Sequence, residues 1–270
     1  MQIEKISFIG AGHMASAILQ GIRQGGLVTG DRVMVSAPSA RNRDRLAADF
    51  GVRATGDNRE AAAFGRILVL AVKPHILEGL IEEIRDVLAE DTLLISLAAG
   101  KSLAALQAAF GRPVRLIRVM PNTPAMVGEA MSALTASDMV PQEDRDLVLE
   151  VFESLGRAEW VSEALMDAVT GLCGSSPAYV YMMIEAMADA GLAAGLPRSQ
   201  AYRFAAQAVL GSAKMVLETG LTPGQLKDQV TSPAGTTIAG LRVLEEGGFR
   251  GLVMDGVLAA VEKSKEMGRR

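Results

Sequence analysis

Cysteine and histidine are nearly absent from this chain. Cys173 stands alone, and His13 and His75 are the only imidazoles. No internal disulfide can form, and there is no His/Cys cluster with the spacing of metal ligands. Metal catalysis and nucleophilic hydrolysis are therefore poorly supplied. Cys173, between Leu172 and Gly174, reads as a small buried residue rather than a nucleophile. An excess of positive charge is missing too: 27 Lys and Arg face 31 Asp and Glu, a formal charge of -4. Such a chain has no global basic field to hold nucleic acid or an anionic membrane, which leaves small molecules or further copies of itself as partners. Residues 1–5 run straight into an apolar strand pattern without a basic-then-apolar leader. With the single cysteine, this sets a cytoplasmic expectation. A long uncharged apolar run is also lacking. The longest apolar stretch, Pro177 to Leu196, carries Glu185 and Asp189, which would be costly in lipid. Because hydrophobic residues make up 49% of the chain, that stretch is expected to be a helix buried inside an oligomer.

What the chain does have begins at once. The apolar strand Ile6 to Ile9 runs into Gly10-Ala-Gly-His-Met-Ala15 and then into helix-forming Ser16 to Gln20, the strand, turn and helix of a dinucleotide site. Gly10 suits the sharp turn, Gly12 leaves room for a pyrophosphate, and Ala15 permits close packing of helix on strand. The phosphates would meet the free N–H groups and positive dipole end of the helix. Further apolar runs at 32–36, 66–72, 92–97 and 114–119 alternate with helical spacing at 41–50, 75–88, 102–110 and 142–155. This predicts a parallel sheet covered by helices, closed by a short strand at 158–161. Composition changes at Ser162. Beyond it lie helix starts and no strand: Pro177 after Ser176, Pro197 after Gly-Leu, and the capping box Thr222-Pro-Gly-Gln225. The expected division is an α/β Rossmann-type dinucleotide-binding domain over residues 1–161 and an all-α domain over residues 162–270.

The end of the second strand bears on the cofactor. NAD-binding members of such folds place an acidic residue there for the ribose 2′-hydroxyl, whereas NADP suits its absence with cations nearby. Here the strand ends Val35-Ser36-Ala37-Pro38-Ser39, followed by Arg41, Arg43 and Arg45. The absence of an acid favours NADPH, with NADH the alternative; singly, each arginine reads as coating an exposed helix face. Three strand ends, at Ala71-Val-Lys-Pro74, Leu97-Ala-Ala-Gly100 and Met120-Pro-Asn-Thr-Pro124, carry small residues and prolines where open α/β sheets bind ligands. Paired carboxylates such as Glu82 and Glu83 read as solvated helix faces.

Pro177 to Leu196 contains no Lys, Arg or His. Alcohol oxidation, which needs a base for the hydroxyl proton, is disfavoured relative to reduction of a protonated imine, where positioning and exclusion of water suffice. Asp228 to Gly240 crowds hydroxyls and glycine at a helix start. Ser232, Gly235, Thr236 and Thr237 suit a carboxylate, although a plain Ser-Pro cap with packed threonines is the competing reading.

Taken together, Gly10-Ala-Gly-His-Met-Ala15, Ala71-Val-Lys-Pro-His75, Met120-Pro-Asn-Thr-Pro124, Gly174-Ser-Ser-Pro-Ala-Tyr179, Pro223 to Asp228 and Val230 to Ala239 resemble pyrroline-5-carboxylate reductase. The resemblance implies NADPH- or NADH-dependent reduction of 1-pyrroline-5-carboxylate to L-proline, the last step of proline biosynthesis. It also implies a Rossmann domain followed by a helical substrate-binding and dimerisation domain that intertwines with a partner's, in a homodimer or an oligomer built from dimers. By the same resemblance, cofactor contacts fall at Gly10, Ala11, Gly12, His13, Met14, Ser36, Asn58, Ala71, Val72, Lys73, Leu97, Ala99 and Gln229. Substrate contacts fall at Glu163, Ser232, Gly235, Thr236 and Thr237, with the Thr237 hydroxyl on the ring nitrogen. One departure is Ser176, where the family usually has glycine: a left-handed turn there would be strained by serine, whereas a cap before Pro177 would accept it. Activity on the six-membered homologue of the ring, or a nucleotide sensor without chemistry, are the competing functions.

Overall fold

A computed structural model describes residues 3–269. The chain falls into two compact units: residues 1–175 with 259–270, and residues 176–258. The first contains an eight-stranded sheet, order β3-β2-β1-β4-β5-β6-β7-β8. Its strands are β1 (Ile6–Ile9), β2 (Val33–Ser36), β3 (Arg53–Thr55), β4 (Ile67–Leu70), β5 (Leu93–Ser96), β6 (Arg115–Met120), β7 (Ala130–Ala136) and β8 (Gly156–Trp160). Helices α1 (His13–Gln24), α2 (Ala40–Phe50), α3 (Asn58–Phe64), α4 (Pro74–Ile84), α5 (Leu103–Phe110) and α6 (Gln142–Glu153) connect them.

Alternate residues of the buried strands feed opposite layers, as the two-residue period requires. Ile6, Phe8, Val33, Val35, Ile67, Val69, Leu93 and Ile95 pack in one core. Ile9, Met34, Leu68, Leu70 and Leu94 pack in the other. A sheet buried on both faces explains why these strands read as continuous apolar runs.

The expected parallel arrangement holds from β3 across to β6, and β7 corrects the rest. It pairs antiparallel with β6, and β8 is parallel to β7. The reason is the connection: β6 reaches β7 through a short 3-10 turn, Thr123–Val127, and a parallel partner would need a full crossover. Helix α6 supplies that crossover between β7 and β8.

Beyond β8 come α7 (Met166–Val169), a π-helical turn (Thr170–Gly174), α8 (Ser176–Ala193), α9 (Arg198–Thr219), α10 (Pro223–Gln229), α11 (Thr236–Glu246) and α12 (Phe249–Gly268). No strand follows β8 among the described residues. The expected capping box at Thr222 is present, with both its hydrogen bonds to Gln225 formed. Ser176 opens α8 outside the left-handed region; the one non-glycine residue with positive φ among the described residues is Ala234. The units divide at Ser175, later than the strand-to-helix change at Ser162, because α7 and the π turn pack beneath β6 and β7: Met166 is buried with Met120 and Ala133. The end of α12 returns to the first unit, where Ser264 donates to the Asp167 carboxylate at 2.6 Å. No helix is long and apolar enough to cross a membrane among the described residues.

Candidate active site

The strand order reverses between β1 and β4, so the carboxyl ends of these two strands frame the crevice in which open α/β sheets bind ligands. Gly10, the residue after β1, has φ +112°, and a Cβ there would collide with the carbonyl oxygen of Ala71. Glycine is required twice over. The ends of β1, β2 and β4 are stitched together: Gly10 N–H donates to Ser36 O at 2.8 Å, and Ala71 N–H to Ile9 O at 2.9 Å. Gly12 caps α1 in an ordinary extended conformation, with nothing within 4 Å of where a Cβ would stand. Neither conformation nor a neighbouring protein atom demands glycine there, so the space over Gly12 stands open to a ligand, and no acid in the first turn of α1 offsets the helix's positive end. Ala15 is fully buried against the sheet. These features fit a dinucleotide pyrophosphate. His13 is exposed and Met14 half-buried at the same turn, and Ala11 is buried beneath it.

Beside the turn, Gly10, Ser36, Asn58 and Val72 line a cleft of about 360 Å³ together with Glu83. Ser36 Oγ donates to Asn58 Oδ1 at 2.7 Å, and Asn58 Nδ2 donates to Glu83 Oε2 at 2.9 Å. Glu83 therefore belongs to the cleft wall and not simply to a solvated face; its link to Asn58 spans 25 residues and leaves no local sequence signal. Ala71 and Val72 are half-buried after β4, Lys73 caps α4 with Pro74 at its first position, and Leu97 and Ala99 are half-buried after β5. The arginines divide: Arg43 donates to the carbonyls of Ala37 and Pro38, Arg45 to Ser16 Oγ, and Arg41 is exposed with no partner among the described residues. A larger cavity, about 540 Å³, lies at the opposite ends of β1 and β4. Its buried Asp144 is already satisfied by Arg66 at 2.7 Å and Arg115 at 3.5 Å, and it lacks the free donors of the turn.

Glu163 lies in the first unit, engaged in structure. Its Oε1 accepts from Leu103 N–H at 2.5 Å and from Arg118 at 3.4 Å. Arg118 is 4% exposed, and burial pushes its pKa down against the opposing pull of Glu163 and Asp167. Cys173 lies half-buried beside the Asn122 amide at 3.3 Å, and burial pushes its thiol pKa up, which makes it a poor nucleophile.

In the helical unit, Gln229 is exposed as the last residue of α10. Ser232 to Gly235 form a turn closed by Gly235 N–H donating to Ser232 O at 3.1 Å, with Ala234 at φ +57°. Helix α11 starts directly after it. Its first-turn N–H groups precede the bond from Ala239 N–H to Gly235 O, and Gly235 caps it without any side-chain hydrogen bond. Ser232 and Thr236 are exposed, and the half-buried Thr237 hydroxyl has no partner among the described residues. Free donors and uncommitted hydroxyls at one helix start suit an anion.

Residues 163–267 match the family model described as pyrroline-5-carboxylate reductase dimerisation, and residues 5–100 match that of NADP oxidoreductase, coenzyme F420-dependent. The chain is 47% identical to the pyrroline-5-carboxylate reductase of Escherichia coli (strain K12) over 98% of its own length and 99% of the relative's. The chain belongs to the pyrroline-5-carboxylate reductase family. The reductase of Methanosarcina acetivorans is 45% identical over the whole of both chains. The Plasmodium falciparum reductase, solved with NADP bound, superposes with a TM-score of 0.91 at 35% identity, covering 99% of each chain. As a member of this reductase family the chain is an oxidoreductase, and its helical part carries the family's dimerisation region.

Proposed function

We propose that this protein reduces 1-pyrroline-5-carboxylate to L-proline with NADPH as the preferred reductant and NADH as the alternative. Family membership across the whole chain carries this reading, because it spans both the nucleotide turn and the hydroxyl-rich loop. In the proposed division, residues 1–161 bind the cofactor, and residues 162–270 bind the substrate and form a cytoplasmic homodimer from which larger assemblies could be built. Gly10 to Met14 hold the pyrophosphate on the first turn of α1. Ser36 and Asn58 meet the adenosine ribose, and Ala71 to Lys73, Leu97 and Ala99 shape the nicotinamide end, with Gln229 as a further contact. Bound NADPH supplies the hydride that ends on C5 of the ring.

The chain's own residues bind and orient. The turn from Ser232 through Gly235 and the first amides of α11 at Thr236 and Thr237 take the substrate carboxylate. The Thr237 hydroxyl hydrogen-bonds the ring nitrogen, which carries its proton in with the substrate or draws it from solvent, so no side-chain acid is needed. Holding the imine in one orientation away from bulk water is the protein's main contribution. In the assembled dimer the loop comes from the neighbouring subunit. Glu163 acts beside the substrate through its hold on Arg118 and the start of α5.

Following NADPH oxidation with 1-pyrroline-5-carboxylate, beside NADH at equal concentration, and identifying the product tests the assignment. Oxidation with proline formed is the expected result. Tight NADPH binding without oxidation would sink it.

A further inference from the structure

We propose that Glu83 tunes the choice between NADPH and NADH by holding Asn58 and Ser36 in one hydrogen-bonding state. The inference rests on the cofactor reading above. In this fold, cofactor choice depends on whether the end of β2 offers an acceptor to a ribose hydroxyl, or donors and positive charge to a phosphate. Ser36 ends β2, and no carboxylate stands between Ser36 and Ser39. The fold brings one to the same cleft from α4 instead. Glu83 lines it with Ser36 and Asn58, and Arg59 anchors the Glu83 main chain by donating to its carbonyl oxygen at 2.7 Å.

The direction of each hydrogen bond decides the matter. A carboxylate can only accept, so Glu83 at 2.9 Å obliges Asn58 to turn its NH₂ group that way and its carbonyl toward Ser36. Ser36 is fully buried, and its single proton is then spent on Asn58 at 2.7 Å. What remains on Ser36 is lone pairs, which welcome a ribose hydroxyl and oppose a phosphate. Glu83 also adds negative charge to this wall. Against it stands Arg43, which lies beside Gly56 of the cleft wall; its Nη1 donates to the neutral carbonyls of Ala37 and Pro38 at 2.6 and 3.0 Å, bonds that leave its positive charge in place. The cleft thus carries recognition elements for both cofactors, and Glu83 weighs toward the unphosphorylated one.

Equilibrium titration with NADPH and with NADH, read by cofactor fluorescence without turnover, gives the ratio of the two dissociation constants. Glu83→Gln deletes the charge but keeps a carbonyl that can accept from Asn58. Glu83→Ala deletes both and frees the Ser36 proton to point into the cleft. The preference for NADPH over NADH is expected to rise by roughly threefold in the first variant and roughly tenfold in the second. A purely structural role would weaken both nucleotides by the same factor, and a ratio that does not move while the wild type binds both overturns this proposal alone. If the wild type binds neither nucleotide, the cofactor reading and the role of Glu83 fall together.

Discussion

Thr237 is the residue on which the proposed chemistry leans most. Its hydroxyl is half-buried and uncommitted, so a ligand can claim it without breaking a protein bond. Replacing Thr237 by Ala should lower kcat by about tenfold or more if the bond to nitrogen strengthens as the hydride arrives. Steady-state kinetics under saturating cofactor would measure this, and wild-type turnover in the variant would remove Thr237 from the mechanism. Legibility at this scale follows sequence distance. The nucleotide turn is a contiguous word and can be read directly. The bonds joining Ser36 to Asn58 and Asn58 to Glu83 span 22 and 25 residues, and nothing local in the sequence announces them.

Among the elements, β1, β2, β4, β5 and β6 are visible in the sequence because burial on both faces demands unbroken apolar runs. Strand β7, Ala-Met-Ser-Ala-Leu-Thr-Ala, is as deeply placed yet built of small and hydroxylated residues, with Ser132 fully buried, and escapes a search for Val and Ile. Strand β3 is three residues long, mostly exposed and at the sheet edge, and α3 is seven residues long, capped by Asp57 and burying only the small side chains of Ala61 and Ala62 with part of Phe64; neither is long enough to show a period. Glu163 joins elements in a way composition cannot reveal, tying Arg118 of β6 to the first amide of α5. Glu163→Ala would take from the buried Arg118 guanidinium its hydrogen-bonded carboxylate and leave only the more distant pull of Asp167. A loss of about 2 kcal/mol is expected, below the full penalty for breaking a buried pair because the Glu163 side chain is 35% exposed. A shift in the urea midpoint would record it. An unchanged midpoint with a raised KM for the imine would instead assign Glu163 to substrate contact alone.

For the whole molecule, the telling contrast lies within the helical unit. Its buried hydrophobic residues are three alanines, Ala188, Ala201 and Ala205, while Met182, Phe204, Leu217 and Leu252 are each more than 60% exposed. Apolar surface on that scale calls for a partner. The stability of the chain should therefore rise with protein concentration, as expected when folding and association are linked. Phe204→Glu would be felt twice in a symmetric dimer. At about 2 kcal/mol for each of the two lost aromatic burials, its dissociation constant should rise on the order of 1,000-fold. Urea midpoints over a dilution series would measure the first and sedimentation velocity the second, and a wild-type chain that stays monomeric at high concentration would refute the linkage.

The return of α12 has a consequence for how the protein is made. Gly268 packs so closely on Gly100 that a Cβ at Gly268 would lie 2.6 Å from the Gly100 carbonyl oxygen, and Ser264 holds Asp167. The nucleotide-binding unit is thus interrupted in sequence by the entire helical unit. During synthesis its sheet is available early, but the contacts at Gly100 and Asp167 must wait until residues beyond Ala259 have been made. Growing chains carry that gap exposed, and a chaperone that shields it would act on the oldest part of the nascent protein rather than the newest.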